Sequence, residues 1–477
     1  MAKLILSNTL EFSKVDRSKS VENHLLVTIK APVEENAKRV PVQLVLVLDV
    51  SGSMAELCSG SSNTKIEVMK IIAKKMVNYL RDEDKVSIVT FDSSAKTVVS
   101  KMPGKDKESI LSRINSMHPG SMTNGSAGIM LGYEAVDSQF NGSTRILFMS
   151  DGHINQGIIL SDELVALCGK RPANTVLSTF GFGNAAQQDL LASMAKEGGG
   201  NYHFIENPDQ VRNAFAEELG GAISCVAQNI RIEVTPNKDV EILEVLNDFK
   251  VEDNNGVATV IADDIFSGEN KNVLIKLKLP SVPNAKPRPS TVVTVKCKWN
   301  DTATSQVQTD ESVVKVEYVK EEDADKQGNL TVCEQIAVVK TAKAYEEASR
   351  LADKGNFGAA ADVCRAAGGL WEKMKGRGST LAVAAIANNE ETSSSFSSDK
   401  YTASFGNQVR YSSRNTLRSR SSGTGGSSML NSKGAVVGET LKAFKEDATS
   451  TVISTPSDNT VISPPSRKSF AKEKINK

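Results

Sequence analysis

Residues 42–50 read Val-Gln-Leu-Val-Leu-Val-Leu-Asp-Val. A run this rich in Val and Leu is at home only as a central strand covered on both faces, which means a parallel sheet wrapped by helices. The sequence around it keeps that rhythm. Ile66, Met69, Ala73, Met76, Val77 and Leu80 recur at helical spacing, and Lys65, Lys70, Lys74 and Lys75 fall mostly outside the stripe. Strands are then expected at 85–91 and 96–102, the second as an antiparallel edge, followed by helices at 106–117 and 126–140. A strand at 145–150, helix 162–168, strand 175–180, helix 187–196, strand 202–205 and helix 209–223 complete the series. Residues 41–225 therefore predict an α/β unit, doubly wound around a mostly parallel sheet of six strands.

Outside that unit the texture changes. Residues 226–325 alternate Val, Ile and Leu with polar residues and turns, which predicts an antiparallel β-sandwich. Residues 1–40 contain a similar run at 25–29, so the N-terminal segment is expected to lend a strand to that sandwich. The α/β unit would then be inserted in the sandwich rather than simply followed by it. Residues 326–387 return to a helical period through Ala342, Tyr345, Ala348 and Leu351, then Ala360, Val363 and Ala367. This predicts a helical hairpin resembling a single tetratricopeptide unit, which cannot form a solenoid alone and must pack on the sandwich or on a partner chain. Residues 388–477 are rich in Ser, Thr, Asn and Gly without periodicity, and a disordered tail is expected there.

Charge excludes some partners. Lys plus Arg equals Asp plus Glu at 57 each, so nothing global favours nucleic acid or an anionic membrane. No apolar run approaches bilayer-spanning length and the first ten residues lack the pattern of a secretory signal, so a cytoplasmic protein is expected. The six cysteines are far apart and never form C-x-x-C, which suits free thiols.

The candidate chemistry lies where the central run ends, at Asp49-Val50-Ser51-Gly52-Ser53. D-x-S-x-S alone arises by chance in about one chain in ten of this length. Its place is more telling, because open α/β sheets hold ligands at the carboxyl ends of their strands. Two further segments are expected at the same edge: the loop 120–124 with Thr123, and Asp151 after the strand 145–150. Asp49, Ser51, Ser53, Thr123 and Asp151 together offer hard oxygen ligands of low total charge, suited to Mg²⁺ or Mn²⁺. With hydroxyls in place of a third acid, the ion keeps positive character and a coordination position for an incoming Asp or Glu. The plainer alternative, that Asp49 and the serines only cap the next helix, does not account for Thr123 and Asp151. His153 is read as a solvent-facing rim residue, since no second His or Cys accompanies it.

These residues resemble the metal-ion-dependent adhesion site of von Willebrand factor type A domains, whose D-x-S-x-S, Thr and Asp match Asp49, Ser51, Ser53, Thr123 and Asp151. The resemblance covers about residues 41–225 and implies a magnesium or manganese site that binds a protein partner presenting Asp or Glu. The β region and hairpin that follow look similar to eukaryotic proteins, well represented in plants, in which this domain can accompany a RING-type ubiquitin-ligase module. Two features depart from the pattern. Residues 56–63, with Cys58, look like an insertion that rims the site, and the sequence holds no RING cysteine-histidine array. No G-x-S-x-G elbow or nucleophile-base pair stands out among the four histidines, so a non-enzymatic interaction protein is expected. The alternatives are a scaffold or regulatory subunit of a ubiquitin-ligase or other assembly with a structural metal, and, less favoured, a Mg²⁺-dependent phosphohydrolase.

Overall fold

A computed structural model describes residues 4–32, 41–58, 62–182, 187–205, 218, 225–262, 264–284, 288–302, 304 and 306–419. Three strands come first: β1 (Ile5–Leu10), β2 (Lys14–Asp16) and β3 (Val21–Lys30). The aliphatic run forms β4 (Val42–Asp49), buried at every position. Then follow α1 (Lys65–Tyr79), β5 (Lys85–Phe91), β6 (Ala95–Pro103), α2 (Lys107–Asn115), α3 (Gly125–Glu134), β7 (Ser143–Ser150), α4 (Ser161–Gly169), β8 (Thr175–Phe182), α5 (Gln188–Glu197) and β9 (Gly199–Ile205). These strands make one sheet in the order β6-β5-β4-β7-β8-β9, parallel except for the antiparallel edge β5–β6. The expected six-stranded doubly wound sheet is thus present. The last expected helix, 209–223, falls outside the described residues except for Glu218.

The remaining strands are β10 (Cys225–Pro236), β11 (Glu241–Val245), β12 (Lys250–Asn254), β13 (Val257–Ala262), β14 (Ile265–Phe266), β15 (Asn270–Leu279), β16 (Pro289–Asp301) and β17 (Val307–Val319). They form two sheets, β1-β3-β15-β11 and β12-β13-β10-β16-β17-β2, with β14 on β10. The N-terminal segment supplies not one strand but three, two to one sheet and one to the other, so the α/β unit is an insertion in the sandwich. Alternation sets the faces of β3: Leu25, Val27 and Ile29 join the core between the sheets. Leu26, with Leu274, turns outward to pack against helices.

Those helices are α6 (Leu330–Asp353), α7 (Phe357–Lys375), α8 (Thr380–Ser395) and α9 (Ala403–Leu417). The hairpin α6–α7 matches expectation, and of its two offered supports it takes the sandwich, through Val332, Val339 and Ala342 against Leu26 and Leu274. Two corrections follow. The helical region does not end at 387, and a tail beginning at 388 is contradicted as far as Ser419, because α8 and α9 are packed helices. Their buried faces are built from small and polar residues: Ala385, Asn389 and Ser393 in α8, Asn407, Arg410 and Ser413 in α9. The Asn389 side chain donates to the Cys364 carbonyl at 3.0 Å beside Gly368, where an added Cβ would lie 2.6 Å from the Asn389 amide nitrogen. Arg410 pairs with Asp353, and Arg414 reaches Glu346 at 3.1 Å and Asp189 of α5. Residues 420–477 lie outside the described residues.

The inserted unit is tied to the sandwich by a buried ion pair, Arg145 of β7 to Asp264 at 2.7 Å. Arg145→Met leaves Asp264 as an uncompensated buried charge and is expected to cost about 3–5 kcal/mol in urea unfolding. Adding Asp264→Leu should return most of that loss, and additive losses would contradict this account of the pair.

Candidate metal centre

Strand β4 delivers Asp49 to the carboxyl edge of the sheet with no exposed surface. One carboxylate oxygen accepts the Ser51 N–H at 2.8 Å and the other accepts the Ser150 hydroxyl at 2.6 Å. The Ser51 and Ser53 hydroxyl oxygens stand 3.1 Å apart. The loop bearing Thr123 is fastened to the same turn: Gly120 N–H donates to the Val50 carbonyl at 2.5 Å and Gly52 N–H to the Ser121 carbonyl at 2.8 Å. This approach leaves little room at Gly120, where an added Cβ would fall 2.2 Å from an Asp92 carboxylate oxygen.

Thr123 is 2 % exposed and held on both sides. Its N–H donates to the Asn155 side chain at 2.9 Å, and its carbonyl accepts from the N–H groups of Asn155 and Gln156 at 3.1 and 3.2 Å. Asn155 belongs to the loop that begins at Asp151, so hydrogen bonds join the three loops into one assembly. Asp151 is fully buried and accepts the Lys65 ammonium at 3.0 Å, while Lys65 also reaches Glu56 at 2.7 Å. His153 is exposed beside it, as expected.

Burial disfavours the charged form of Asp49, and despite the Ser150 and Ser51 hydrogen bonds its pKa is pushed up to about 6, with the nearby Asp151 charge adding to the effect. Burial works against the Lys65 ammonium too, but its bonds to Glu56 and Asp151 prevail and hold its pKa above the ordinary lysine value. The donor chemistry fits a small hard dication: two buried carboxylates, one of them short of positive compensation, beside a pair of adjacent hydroxyls. No three His, Cys, Asp or Glu converge on a metal site among the described residues, so a site here has to use the hydroxyl oxygens.

Sequence reasoning missed three contributors. Lys65 reads as one of four lysines outside an apolar stripe, yet it is 4 % exposed and locked to Asp151. Ser150 and Glu56 are the others. Their signal was adjacency alone, Ser150 next to Asp151 and Glu56 inside the insertion.

The raised pKa has a thermodynamic consequence. Asp49 contributes stability that is fully present below its unfolded value and is lost as pH rises through about 6. In a chelator, the chain is expected to lose about 3 kcal/mol from this group between roughly pH 4 and 6.5, and excess Mg²⁺ should remove the loss. Urea titrations at several pH values, with and without EDTA, measure it.

The doubly wound sheet of six strands, β6-β5-β4-β7-β8-β9, has the fold of the von Willebrand factor type A domain, and the family model of that domain matches residues 43–217. The fold continues beyond it: a von Willebrand factor type A protein from Catenulispora acidiphila superposes over 86% of this chain and 96% of its own, with a TM-score of 0.69 at 14% identity. The ArnB paralog VWA2 from Sulfolobus acidocaldarius does so over 87% and 98%, with a TM-score of 0.57 at 16% identity. By sequence, the chain is 28% identical to the uncharacterized protein YfbK of Escherichia coli over 54% of its length. It is 24% identical to the probable E3 ubiquitin-protein ligase WAVH2 of Arabidopsis thaliana over 57%. The matches span 45% and 38% of those two proteins.

Proposed function

We propose that this chain is a non-catalytic interaction module that captures an acidic side chain of a partner protein through Mg²⁺ or Mn²⁺ held by Asp49, Ser51, Ser53, Thr123 and Asp151. The observation that supports the reading is the buried Asp49 carboxylate accepting the Ser51 N–H, with the Ser51 and Ser53 hydroxyls 3.1 Å apart, on a turn to which the Thr123 loop, and through it the Asp151 loop, is hydrogen-bonded. Because Asp151 shares an oxygen with Lys65, it lends less than a full charge to the ion. The ion, when bound, supplies the attraction for an incoming carboxylate. Six cysteines without disulfides, five of them buried, fit a reducing compartment, and the cytoplasm is the location we assign. No helix among the described residues is long and apolar enough to cross a membrane.

A second reading, a scaffold or regulatory subunit of a ubiquitin-ligase or other assembly with a structural metal, draws support from the likeness to WAVH2 and from the four-helix region on the sandwich. Calorimetry of the full chain with MgCl₂ tests the primary reading: one saturable site is expected, and no uptake refutes it. Affinity purification separates the two. Partners lost with EDTA support carboxylate capture, and partners lost only when 331–374 is deleted support the scaffold.

A further inference from the structure

Twelve large apolar side chains are exposed among the described residues, and four of them, Leu57, Met122, Ile159 and Leu160, stand on the loops that build the candidate metal centre. Isolated exposed leucines are ordinary on a protein surface, but several around one site mark a contact face. Each of the three loops contributes. Leu57 follows Glu56, the residue bound to Lys65 and through it to Asp151, and its backbone bridges to Thr64 at the start of α1. Met122 sits between Ser121, whose carbonyl takes the Gly52 N–H, and the buried Thr123. Ile159 and Leu160 end the loop that starts at Asp151, just after Ile158, whose N–H donates to the Ser126 hydroxyl at 3.0 Å.

Charge narrows the occupant. Residues 49–58, 62–64, 117–124 and 151–160 contain no Lys or Arg, so these loops offer no lysine or arginine to a phosphate backbone or an anionic lipid. Lys65 at its margin is buried and already committed to Glu56 and Asp151. What remains is a candidate cation position whose loops expose four large apolar side chains, together with Glu56 and His153.

We infer that the partner presents its acidic residue flanked on both sides by large apolar side chains, which settle on Leu57, Met122, Ile159 and Leu160 as the carboxylate meets the ion. This rests on the carboxylate-capture reading. The two parts support each other, because apolar cover excludes water and strengthens the attraction between ion and carboxylate, which at an exposed site is weak.

The test uses the full chain and two amidated, acetylated heptapeptides, Gly-Leu-Phe-Glu-Leu-Phe-Gly and Gly-Ser-Asn-Glu-Ser-Asn-Gly, with fluorescence anisotropy in Mg²⁺ and in EDTA. The apolar-flanked peptide is expected to bind about thirtyfold tighter in Mg²⁺. It should lose that binding in EDTA or when its Glu is replaced by Gln. The variant Leu57→Ser/Met122→Ser/Ile159→Ser/Leu160→Ser should abolish the preference while calorimetric Mg²⁺ uptake and Tm stay unchanged. With uptake intact, equal affinities for the two peptides, no binding of either, or apolar binding that survives EDTA overturns the inference and leaves the metal site standing. Absence of Mg²⁺ uptake instead removes the reading on which it rests.

Discussion

Asp49→Asn is expected to abolish magnesium uptake and at the same time to stabilise the metal-free chain. The amide keeps the shape of the carboxylate and the hydrogen bond from the Ser51 N–H, and the Ser150 hydroxyl can turn to meet it. It removes a buried charge whose pKa is pushed up to about 6. At pH 7 that charge opposes folding by about 3 kcal/mol, so the variant should gain up to that amount in EDTA. If Asp49 is the direct ligand proposed for it, its removal should weaken Mg²⁺ binding by more than about a hundredfold, since even outer partners of a metal site are worth 10–100-fold. A pair of thermal scans displays both effects. The unsubstituted chain should rise with Mg²⁺, by about 2.7 kcal/mol at a hundredfold excess over Kd, whereas the variant should start higher and not respond. A variant that starts lower and still responds would refute the assignment of Asp49.

The second large effect is expected far from the site, at α9. This helix touches all three parts of the chain. Leu417 is buried with Leu26, Leu246 and Leu274 of the sandwich and Val332 of α6, and its carbonyl accepts from the Asp248 N–H at 3.1 Å and the Asn247 side chain at 3.0 Å. Tyr411 places its hydroxyl 3.2 Å from His203 of β9. Arg418 donates to the Gly200 carbonyl, and the Ser419 hydroxyl accepts the Asn272 N–H at 2.7 Å. Leu417→Asp puts an unpaired carboxylate among these apolar groups and is expected to cost about 3–5 kcal/mol. Urea unfolding followed by circular dichroism gives the figure, and a loss within experimental error would mean that α9 is not docked in solution.

Much of the sheet was legible because its strands are long, aliphatic and separated by clear stripes; β4 needs nothing but its own residues to declare itself. The insertion of the α/β unit in the sandwich was partly legible, through the alternation at 25–29 that puts Leu25, Val27 and Ile29 on one face. β2 was not, since a three-residue strand carries no period. The helices α8 and α9 escaped because much of their buried faces is small or polar, with few large apolar residues beside Leu417 to mark a helical period. A reading that weighs hydrophobicity takes Asn389, Ser393, Asn407 and Arg410 for solvated positions. The same blindness hid Lys65, whose burial depends on Asp151, eighty-six positions away in sequence.

The insertion also fixes an order of events on the ribosome. Strand β3 ends at Lys30 and its partner β15 begins at Asn270. At 5–20 residues per second, roughly 12–50 s of translation separate the two. During that interval the inserted domain emerges whole and can fold, while β1 and β3 have only each other, a ribbon too small to persist alone. Strands β1 and β3 are therefore made before the inserted domain but completed after it, and the nascent chain shows a bare sheet edge that a chaperone is suited to shield.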